Sequence, residues 1–404
     1  MKQKVLANTE YKLEKEVKMD NRKHLLAIVG TVILLLSLSI PLMQCAPAAE
    51  KAAYDEYVSS LPEGCLPVPQ DCFDQAMVEG EFYKYCWGEW WPAEIREGFA
   101  QEFGIEVFKD DYGDIDEMVT KFRLNPETAY DFALPDTRGF YQLKDLDIAQ
   151  EINHDWIPNV NKYLPEMTKN AEYDPGYKYS VATDMCITTY GYNTKYVDDP
   201  RIPSWSAFYE PDEKYRGKIT PLNNMYEVIG GALLYLGYPF NSDDEGELME
   251  ARDLLVQQKP YALAYDSWPI REVLSDEAHM FQQWHGDVRF FRNEYEDPQA
   301  IHIAYPPEGC SMTIDVIIIP KNAPNPAAAH LFMNYVFRPE TNAILIESIG
   351  HSPNHTLTAQ YLSEELQNWH PPEEYLSKLV LINSKSYTGK GLELRTAIWE
   401  EMKE

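Results

Sequence analysis

The chain has 404 residues, which is long enough for two domains that each bury a hydrophobic core. Its 65 acidic and 35 basic residues give a net charge of −30, and the part after residue 44, with 28 basic and 61 acidic residues, carries −33. Such a charge repels nucleic acid and anionic lipid and favours cationic ligands, although an acidic surface that only aids solubility is the alternative.

The N-terminal segment has the pattern of an export signal. Leu25–Met43 contains no charged side chain and follows Arg22, Lys23 and His24, which is typical of a signal peptide or a membrane anchor. The segment ends at Leu42-Met43-Gln44-Cys45, which resembles the lipobox of bacterial lipoproteins. This resemblance implies a signal over residues 1–44 and a lipid on Cys45, although Gln44 replaces the usual small residue. An uncleaved anchor is the alternative, and both place the body outside the cytoplasm, in the periplasm or at the cell surface.

Residues 45–79 are rich in Ala, Glu and Pro, a composition that predicts a partly ordered tether. Within it, Cys65 and Cys72 lie seven residues apart, and a small disulfide loop between them is possible outside the cytosol. Cys86, Cys186 and Cys310 fall in predicted strands or at strand ends and are expected to be buried thiols. The chain has no CxxC motif and no zinc-like spacing, so we predict no metal site and no cofactor.

The first βα unit of the body starts after the tether. Glu81–Trp87 alternates as a strand does, and Pro92 suits the start of a helix that ends near Phe103, before Gly104. Ligands of open α/β sheets bind beyond the carboxyl ends of the strands, where Trp87, Glu89 and Trp90 lie. The alternative is that two of the three Trp residues at positions 87, 90 and 91 belong to the core.

The same geometric rule applies further along the chain. Tyr130–Pro135 predicts a short strand, so Asp136 at its end is expected to face the same cleft. Strand and helix patterns then alternate through Lys178–Asn193, Gly217–Leu236, His279–Trp284 and Thr313–Gly350. Alternation over two such blocks predicts an α/β protein with two domains.

Short motifs in a shared order resemble the spermidine/putrescine-binding proteins of bacterial polyamine ABC importers, which have the type II periplasmic-binding-protein fold. The resemblance covers Glu81 to the C-terminus. The motifs are Trp87-Gly88-Glu89-Trp90 with Pro92, Tyr130-Asp131, Tyr173-Asp174-Pro175-Gly176, Gly191-Tyr192-Asn193, Ser204-Trp205, Tyr215-Arg216-Gly217-Lys218, Glu227-Val228, Tyr265-Asp266-Ser267, Trp284-His285-Gly286-Asp287, Pro307-Glu308-Gly309, Asp315 with Ile319-Pro320, and Ile349-Gly350 with Pro353-Asn354.

The resemblance implies two lobes, each a mostly parallel sheet with flanking helices, and a ligand in the cleft between them. The first lobe would comprise residues 80–189 and 314–358, and the second residues 190–313 and 359–404, with crossings near Thr189–Tyr192, near Ile314–Val316 and after Asn354. The implied ligand contacts are Trp87, Glu89, Trp90, Asp136, Glu227, Ser267, Trp284, Asp287 and Asp315.

This set of residues suits a linear polyamine, whose ammonium groups are separated by methylenes. Asp287 and Asp315 would hold one end, and Glu227 or Asp136 the other. Trp87, Trp90 and Trp284 would line the methylenes and face the cations, each cation–π contact contributing about 0.5–2 kcal/mol. Glu89 would offset the positive field of the nearby helix N-terminus. The alternative for each carboxylate is a solvated or salt-bridged surface group.

Four residues depart from the family pattern: Arg138, Asn224, Thr313 and His351 stand where an aromatic, an Asp, an aromatic and a Tyr are common. A guanidinium at Arg138 would repel an ammonium unless Asp136 or Glu89 pairs with it. We find no nucleophile elbow, HExxH, P-loop or dinucleotide motif, so no enzyme is predicted, and a metal at His279, His285 and Asp287 is disfavoured.

The sequence therefore predicts a monomeric, lipid-anchored, extracytoplasmic receptor that binds a polyamine-like cation and delivers it to the membrane permease of an ABC importer, without binding nucleic acid. The first alternative is a protein of the same fold that binds another amine, an amino-acid-like solute or a metal. The second alternative is a sensor that has no transport partner.

Overall fold

The computed structural model describes residues 46–88 and 91–403, with only the backbone of residues 46–49. The chain divides into two units at Asp55, and the unit Glu56–Glu404 holds every sheet of the described residues. None of the described helices is long and apolar enough to cross a membrane. The predicted signal at Leu25–Met43 and the predicted lipidation residue Cys45 lie outside the described residues.

The N-terminal half alternates helices and strands. Its elements are α1 (Ala46–Ser60), α2 (Gln70–Glu79), β1 (Glu81–Trp87), α3 (Ala93–Phe103), β2 (Glu106–Tyr112), α4 (Ile115–Leu124), β3 (Phe132–Ala133), α5 (Thr137–Asp145), α6 (Pro158–Tyr163), α7 (Glu166–Lys169) and β4 (Val181–Asn193).

The C-terminal half continues the alternation with shorter strands. Its elements are α8 (Ser206–Tyr209), β5 (Ile219–Thr220), α9 (Met225–Tyr235), α10 (Glu245–Gln258), α11 (Ile270–Leu274), β6 (Met280–Trp284), α12 (His285–Glu294), β7 (Ile301–Ala304), β8 (Cys310–Ile317), α13 (Pro326–Val336), α14 (Pro339–Ile349), β9 (Ser352–Pro353), α15 (Glu364–Trp369), β10 (Leu379–Leu381), α16 (Ser384–Tyr387) and α17 (Gly389–Lys403). Single 3₁₀ turns occupy His154–Trp156, Glu213–Tyr215, Lys259–Tyr261, Pro298–Ala300, Thr358–Tyr361 and Glu373–Lys378.

The first βα unit forms as its sequence predicts. Helix α3 buries Ile95, Phe99 and Phe103, and it ends at Gly104, which has the left-handed φ of 68° that a glycine C-cap favours. Trp91 is 1% exposed, and its ring lies 5.4 Å from that of Phe332, so this indole belongs to the core.

The molecule is an α/β fold with two lobes. In the first sheet, β1 lies between β2 and β3 and pairs with both in parallel. The second sheet has the order β10-β8-β4-β6-β5 and is mixed, because β4 runs antiparallel to β6 and β8 while the two edge pairs are parallel. The predicted mostly parallel pairing therefore describes the first sheet and only the edges of the second.

Strands β4 and β8 link the two lobes. The chain after β8 pairs with the first sheet through the bridge between Ala133 and Ile318, whereas the far end of β4 pairs with β6 and β7. The register of β4 against β8 shifts between Ala182 and Asp184. The lobe boundaries given above remain a proposal, and the pairing of Thr189–Tyr192 with β6 and β7 favours a first crossing nearer to Asp184.

The segment predicted as a tether is partly built into the body. Helix α2 buries Cys72, Phe73 and Ala76, and the Glu79 carboxylate accepts hydrogen bonds from the backbone N–H groups of Ala327 and Ala328, at 3.3 and 2.7 Å. These N–H groups lie in the first turn of α13 and have no partner within the helix. Residues 70–79 are therefore a packed helix rather than a spacer.

The cysteines of the described residues are all free and buried. Cys65 and Cys72 form no disulfide, so the small loop that their spacing permitted is absent. The prediction of buried thiols at Cys86, Cys186 and Cys310 is confirmed.

Candidate functional site

Alternate residues of the two linking strands form a stripe that we call the cleft floor: Asp184, Cys186 and Thr188 on β4, and Ser311, Thr313 and Asp315 on β8. Asp184 lies opposite Asp315, Cys186 opposite Thr313, and Thr188 opposite Ser311. Side chains two residues apart on a strand point to one face, and directly opposed residues share that face. The cleft floor therefore carries two carboxyl groups at one end and hydroxyl groups at the other.

At the acidic end, three buried groups meet. The carboxyl group of Asp315 contacts that of Asp184, and the Nδ1 atom of His351 lies 2.7 Å from Asp184 Oδ2. Burial raises the pKa of Asp315 well above its ordinary value, and the neighbouring carboxyls of Asp184 and Asp136 raise it further. A hydrogen bond with Trp87 acts in the opposite direction. Two adjacent buried carboxyls cannot both ionise without a cation, so this end of the floor is suited to receive positive charge.

Asp136 reaches the same end from the first lobe. Its side chain caps α5 by accepting the Gly139 N–H at 2.7 Å, and its backbone forms a bridge with Asp315. Burial raises the pKa of Asp136, and the nearby guanidinium of Arg138 lowers it. Arg138 itself forms an ion pair with Asp116 at 2.9 Å, and its guanidinium lies 5.7 Å from the ring of Tyr226.

Glu227 marks the other end of the floor. Asn224 caps α9 by accepting the N–H groups of Tyr226 and Glu227 at 3.1 and 3.4 Å, which places Glu227 in the first helical turn. The hydroxyl of Ser311 donates a hydrogen bond to Glu227 Oε2. Burial raises the pKa of Glu227 to about 7, because the desolvation of the carboxylate outweighs this hydrogen bond.

Strand β6 brings a third element to the cleft. Trp284 ends β6 opposite Thr188, and α12 begins at the next residue with Asp287 in its first turn. Burial raises the pKa of Asp287 to about 6, although His351 nearby lowers it. The carbonyl oxygen of Ser267 accepts a hydrogen bond from Gln283 Nε2 at 2.8 Å, which holds Ser267 beside β6.

The acids of the cleft lie around the thiol of Cys186. Burial raises the pKa of this thiol well above its ordinary value, and the carboxyls of Asp315, Asp287, Asp184 and Glu227 raise it further. Four carboxyl groups from β4, β8, α9 and α12 thus act on one side chain in the middle of the cleft floor. The structure therefore brings together most of the predicted acidic contacts.

The first loop is only partly described. Trp87 ends β1, with its ring 4.4 Å from that of Tyr112, and its hydrogen bond with Asp315 places it at the acidic end. Glu89 and Trp90 lie outside the described residues, so their predicted contacts stay predictions.

Sequence reasoning missed Asp184 and Cys186 as residues of the cleft and placed His351 only as a departure from the family pattern. The sequence predicted two strands, 179–182 and 187–193, so Asp184 fell between them, whereas the structure has one strand, Val181–Asn193, on which Asp184, Cys186 and Thr188 alternate. Which strand would pair with it was not visible from the sequence. His279 and His285 lie at opposite ends of β6: His279 precedes the strand and its ring stacks on that of Tyr196, with 4.5 Å between centroids, whereas His285 follows the strand. They form no common site with Asp287.

Comparisons with known proteins agree with this architecture. Residues 94–371 match the family described as bacterial extracellular solute-binding protein. The spermidine/putrescine-binding periplasmic protein of Salmonella typhimurium is 28% identical over 300 residues, which cover 73% of this chain and 84% of the relative. The putrescine/cadaverine-binding protein of Pseudomonas aeruginosa is 25% identical over 302 residues, which cover 72% of this chain and 84% of the relative.

Solved structures share the fold. The spermidine/putrescine ABC transporter substrate-binding protein PotD of Streptococcus pneumoniae superposes with a TM-score of 0.73 at 23% identity, over 80% of this chain and 98% of that one. The Tp0655 (TpPotD) lipoprotein of Treponema pallidum superposes with a TM-score of 0.70 at 24% identity, over 80% of this chain and 99% of that one. Since the family match spans more than half of the sequence and the neighbours share the two-lobed fold, the chain belongs to the bacterial extracellular solute-binding protein family.

Proposed function

We propose that this protein is the extracytoplasmic receptor of an ABC importer and that it binds a polyamine-like cation between its lobes. The observation that carries the proposal is the set of desolvated carboxyls around Cys186, with acids at both ends of the cleft floor. Buried carboxylates need cationic partners, and a ligand with separated ammonium groups supplies them at separated points. The names of the relatives in Salmonella typhimurium and Pseudomonas aeruginosa support the same ligand class.

The spacing of the floor supports a linear ligand. Asp315 and Ser311, which hydrogen-bonds Glu227, are four residues apart on β8, a distance of about 13 Å at the ~3.3 Å rise of a strand. Trp87 at one end and Trp284 at the other offer aromatic faces to ammonium groups and methylenes. The proposed ligand contacts are Trp87, Glu89, Trp90, Asp136, Glu227, Ser267, Trp284, Asp287 and Asp315.

Arg138 is compatible with a cationic ligand. Its guanidinium pairs with Asp116 at 2.9 Å and acts on Asp136, so its charge is offset by acids of the first lobe. The ion-pair partner is therefore Asp116 and not Asp136 or Glu89, the two residues named from the sequence, although Asp136 lies close enough for the two charges to interact.

The family and the sequence of the N-terminal segment support a mode of action. We propose that Cys45 carries a lipid that holds the protein at the membrane, that the two lobes close on the ligand, and that a monomer delivers it to the permease. No catalytic step is proposed, because the family is one of solute-binding receptors.

Calorimetric titration of the chelator-treated full chain tests the ligand class. Putrescine and spermidine should bind, whereas glutamate should not. In Asp315→Asn the amine affinity should fall by about 3–5 kcal/mol, since one partner of a buried charge pair is removed. Thermal unfolding should show no loss of stability in this variant, because it also relieves the contact between Asp315 and Asp184.

Asp145→Asn is the matched control, because Asp145 is exposed at the end of α5. Its amine affinity should equal that of the unmodified protein. Unchanged affinity in Asp315→Asn would place this residue outside the site. Heat with glutamate and none with any amine would contradict the proposed ligand class and would implicate Arg138.

A further inference from the structure

Three metal-ligand side chains converge at the acidic end of the cleft floor from separate parts of the chain. Asp184 lies on β4, Asp315 on β8 and His351 follows α14, and all three are buried. Each offers a ligand atom within 4.8 Å of the others. Ligands of a tetrahedral cation that are each about 2.0–2.2 Å from it lie roughly 3.3–3.6 Å apart. Small side-chain rotations therefore suffice to close these three atoms around an ion.

An unpartnered donor lies next to these three residues. The Cys186 thiol is 7% exposed and makes no hydrogen bond with any described residue. It shares the face of Asp184, two residues along β4, and the carboxyls of Asp315 and Asp184 both act on it. Its sulfur does not lie within 4.8 Å of all three ligand atoms, so the ligand set is Asp184, Asp315 and His351, with the thiol as a neighbour. An imidazole beside two carboxylates favours a transition-metal cation over calcium or magnesium.

Charge balance also favours a divalent ion. Among the described residues, Asp184 forms its ion pair with His351, and no Lys or Arg forms one with Asp184 or Asp315. A metal binds the neutral imidazole, so His351 would no longer offset the charge of Asp184 and both carboxylates would face the ion. A divalent cation would balance both, and buried charges are stable when they are paired in this way.

His351 is held in place by its surroundings. Its ring stacks on that of His285, with 5.3 Å between centroids and 19° between planes, and it packs closely against Gly286. His285 accepts the Ile187 N–H at Nδ1, 3.1 Å away, so its other nitrogen carries the proton and lies 3.3 Å from Ser352 Oγ. These contacts fix the orientation of the His351 ring.

We propose that Asp184, Asp315 and His351 form a site for a divalent transition-metal cation. Because Asp315 is also a proposed amine contact, metal and amine should exclude each other. This competition rests on the proposed function, whereas metal binding by itself does not.

Titration of the chelator-treated full chain with Zn²⁺, without amine, tests the site. We expect one ion per chain and a loss of at least tenfold in affinity in His351→Gln. The matched control is His302→Gln, which removes an exposed imidazole from β7 and should bind Zn²⁺ as the unmodified protein does. Loading with Co²⁺ gives an independent signal, since the visible absorption of the bound ion reports its coordination, and this spectrum should be lost in His351→Gln and kept in His302→Gln.

Competition separates the two proposals. Zn²⁺ should weaken spermidine binding in the unmodified protein, and His351→Gln should need at least tenfold more Zn²⁺ for the same effect. Amine binding by His351→Gln in chelator also shows that this variant is folded. Absence of Zn²⁺ binding, or equal Zn²⁺ affinity in His351→Gln and His302→Gln, would overturn the metal site. Amine binding in the presence of chelator would still support the receptor function in that case. Zn²⁺ binding without any amine binding would support the metal site and contradict the proposed ligand class.

Discussion

At the scale of single residues, the packing of the acidic end depends on Gly286, which is not among the proposed ligand contacts. A Cβ added to Gly286 would lie 2.3 Å from the carbonyl oxygen of Ile349 and 2.6 Å from Cδ2 of His351. The absence of a side chain at this position lets the start of α12 approach the end of α14. Asp287 and His351 both depend on that approach.

We therefore expect Gly286→Ala to destabilise the protein by about 1–3 kcal/mol, the cost of overpacking a filled site. Denaturant unfolding gives this value, and the same protein should show weaker amine binding, because Asp287 moves with α12. Gly113→Ala is the control, since a Cβ there meets no atom within 4 Å. Equal unfolding midpoints for the two variants would show that the close packing around Gly286 contributes little.

At the scale of elements, a helix cap positions the cleft carboxylate of Glu227. Asn224 caps α9 and Asp244 caps α10 with the same kind of side-chain hydrogen bond, but only α9 carries a cleft carboxylate. Replacing either residue with alanine should lower the free energy of unfolding by about 1 kcal/mol. Only Asn224→Ala should also weaken amine binding, because the first turn that positions Glu227 loses its cap.

Calorimetry and unfolding of Asn224→Ala and Asp244→Ala measure the two effects separately. Asn224→Asp keeps the capping oxygen and should retain amine binding. A parallel loss of amine affinity in Asp244→Ala would mean that binding follows overall stability and that the cap on α9 has no positioning role.

Sequence reasoning predicted the elements whose signals are local. Helix α3 was predicted from Pro92 to Gly104 because the proline, the periodic apolar residues and the glycine all lie within one segment. The docking of α2 on α13 was missed, since the contact between Glu79 and Ala328 spans 249 positions of the sequence. The cleft floor was missed for the same reason, as the partner of Asp184 depends on the long-range register of β4 against β8.

At the scale of the whole molecule, the buried carboxyls link stability to pH. Burial raises the pKa of Glu227 from 4.5 to about 7. A carboxyl with a raised folded pKa stabilises the fold fully below its unfolded pKa, and this contribution is lost as the pH rises through the folded pKa. The protein without ligand should therefore lose on the order of 3 kcal/mol of stability between pH 4.5 and pH 7, at about 1.4 kcal/mol per pKa unit. In Glu227→Gln this part of the loss should disappear.

A cationic ligand should reverse the sign of this dependence. Binding of ammonium groups requires ionised carboxylates, so Glu227, with a pKa of about 7, and Asp287, with a pKa of about 6, must release protons when the ligand binds. Amine affinity should therefore rise from pH 5 to pH 8, the range in which the ligand-free protein becomes less stable. Calorimetry at pH 6 in two buffers of different ionisation enthalpy measures the released protons, and Glu227→Gln should release fewer. An affinity that stayed constant over this range, together with no proton release, would show that neither carboxylate receives the cation.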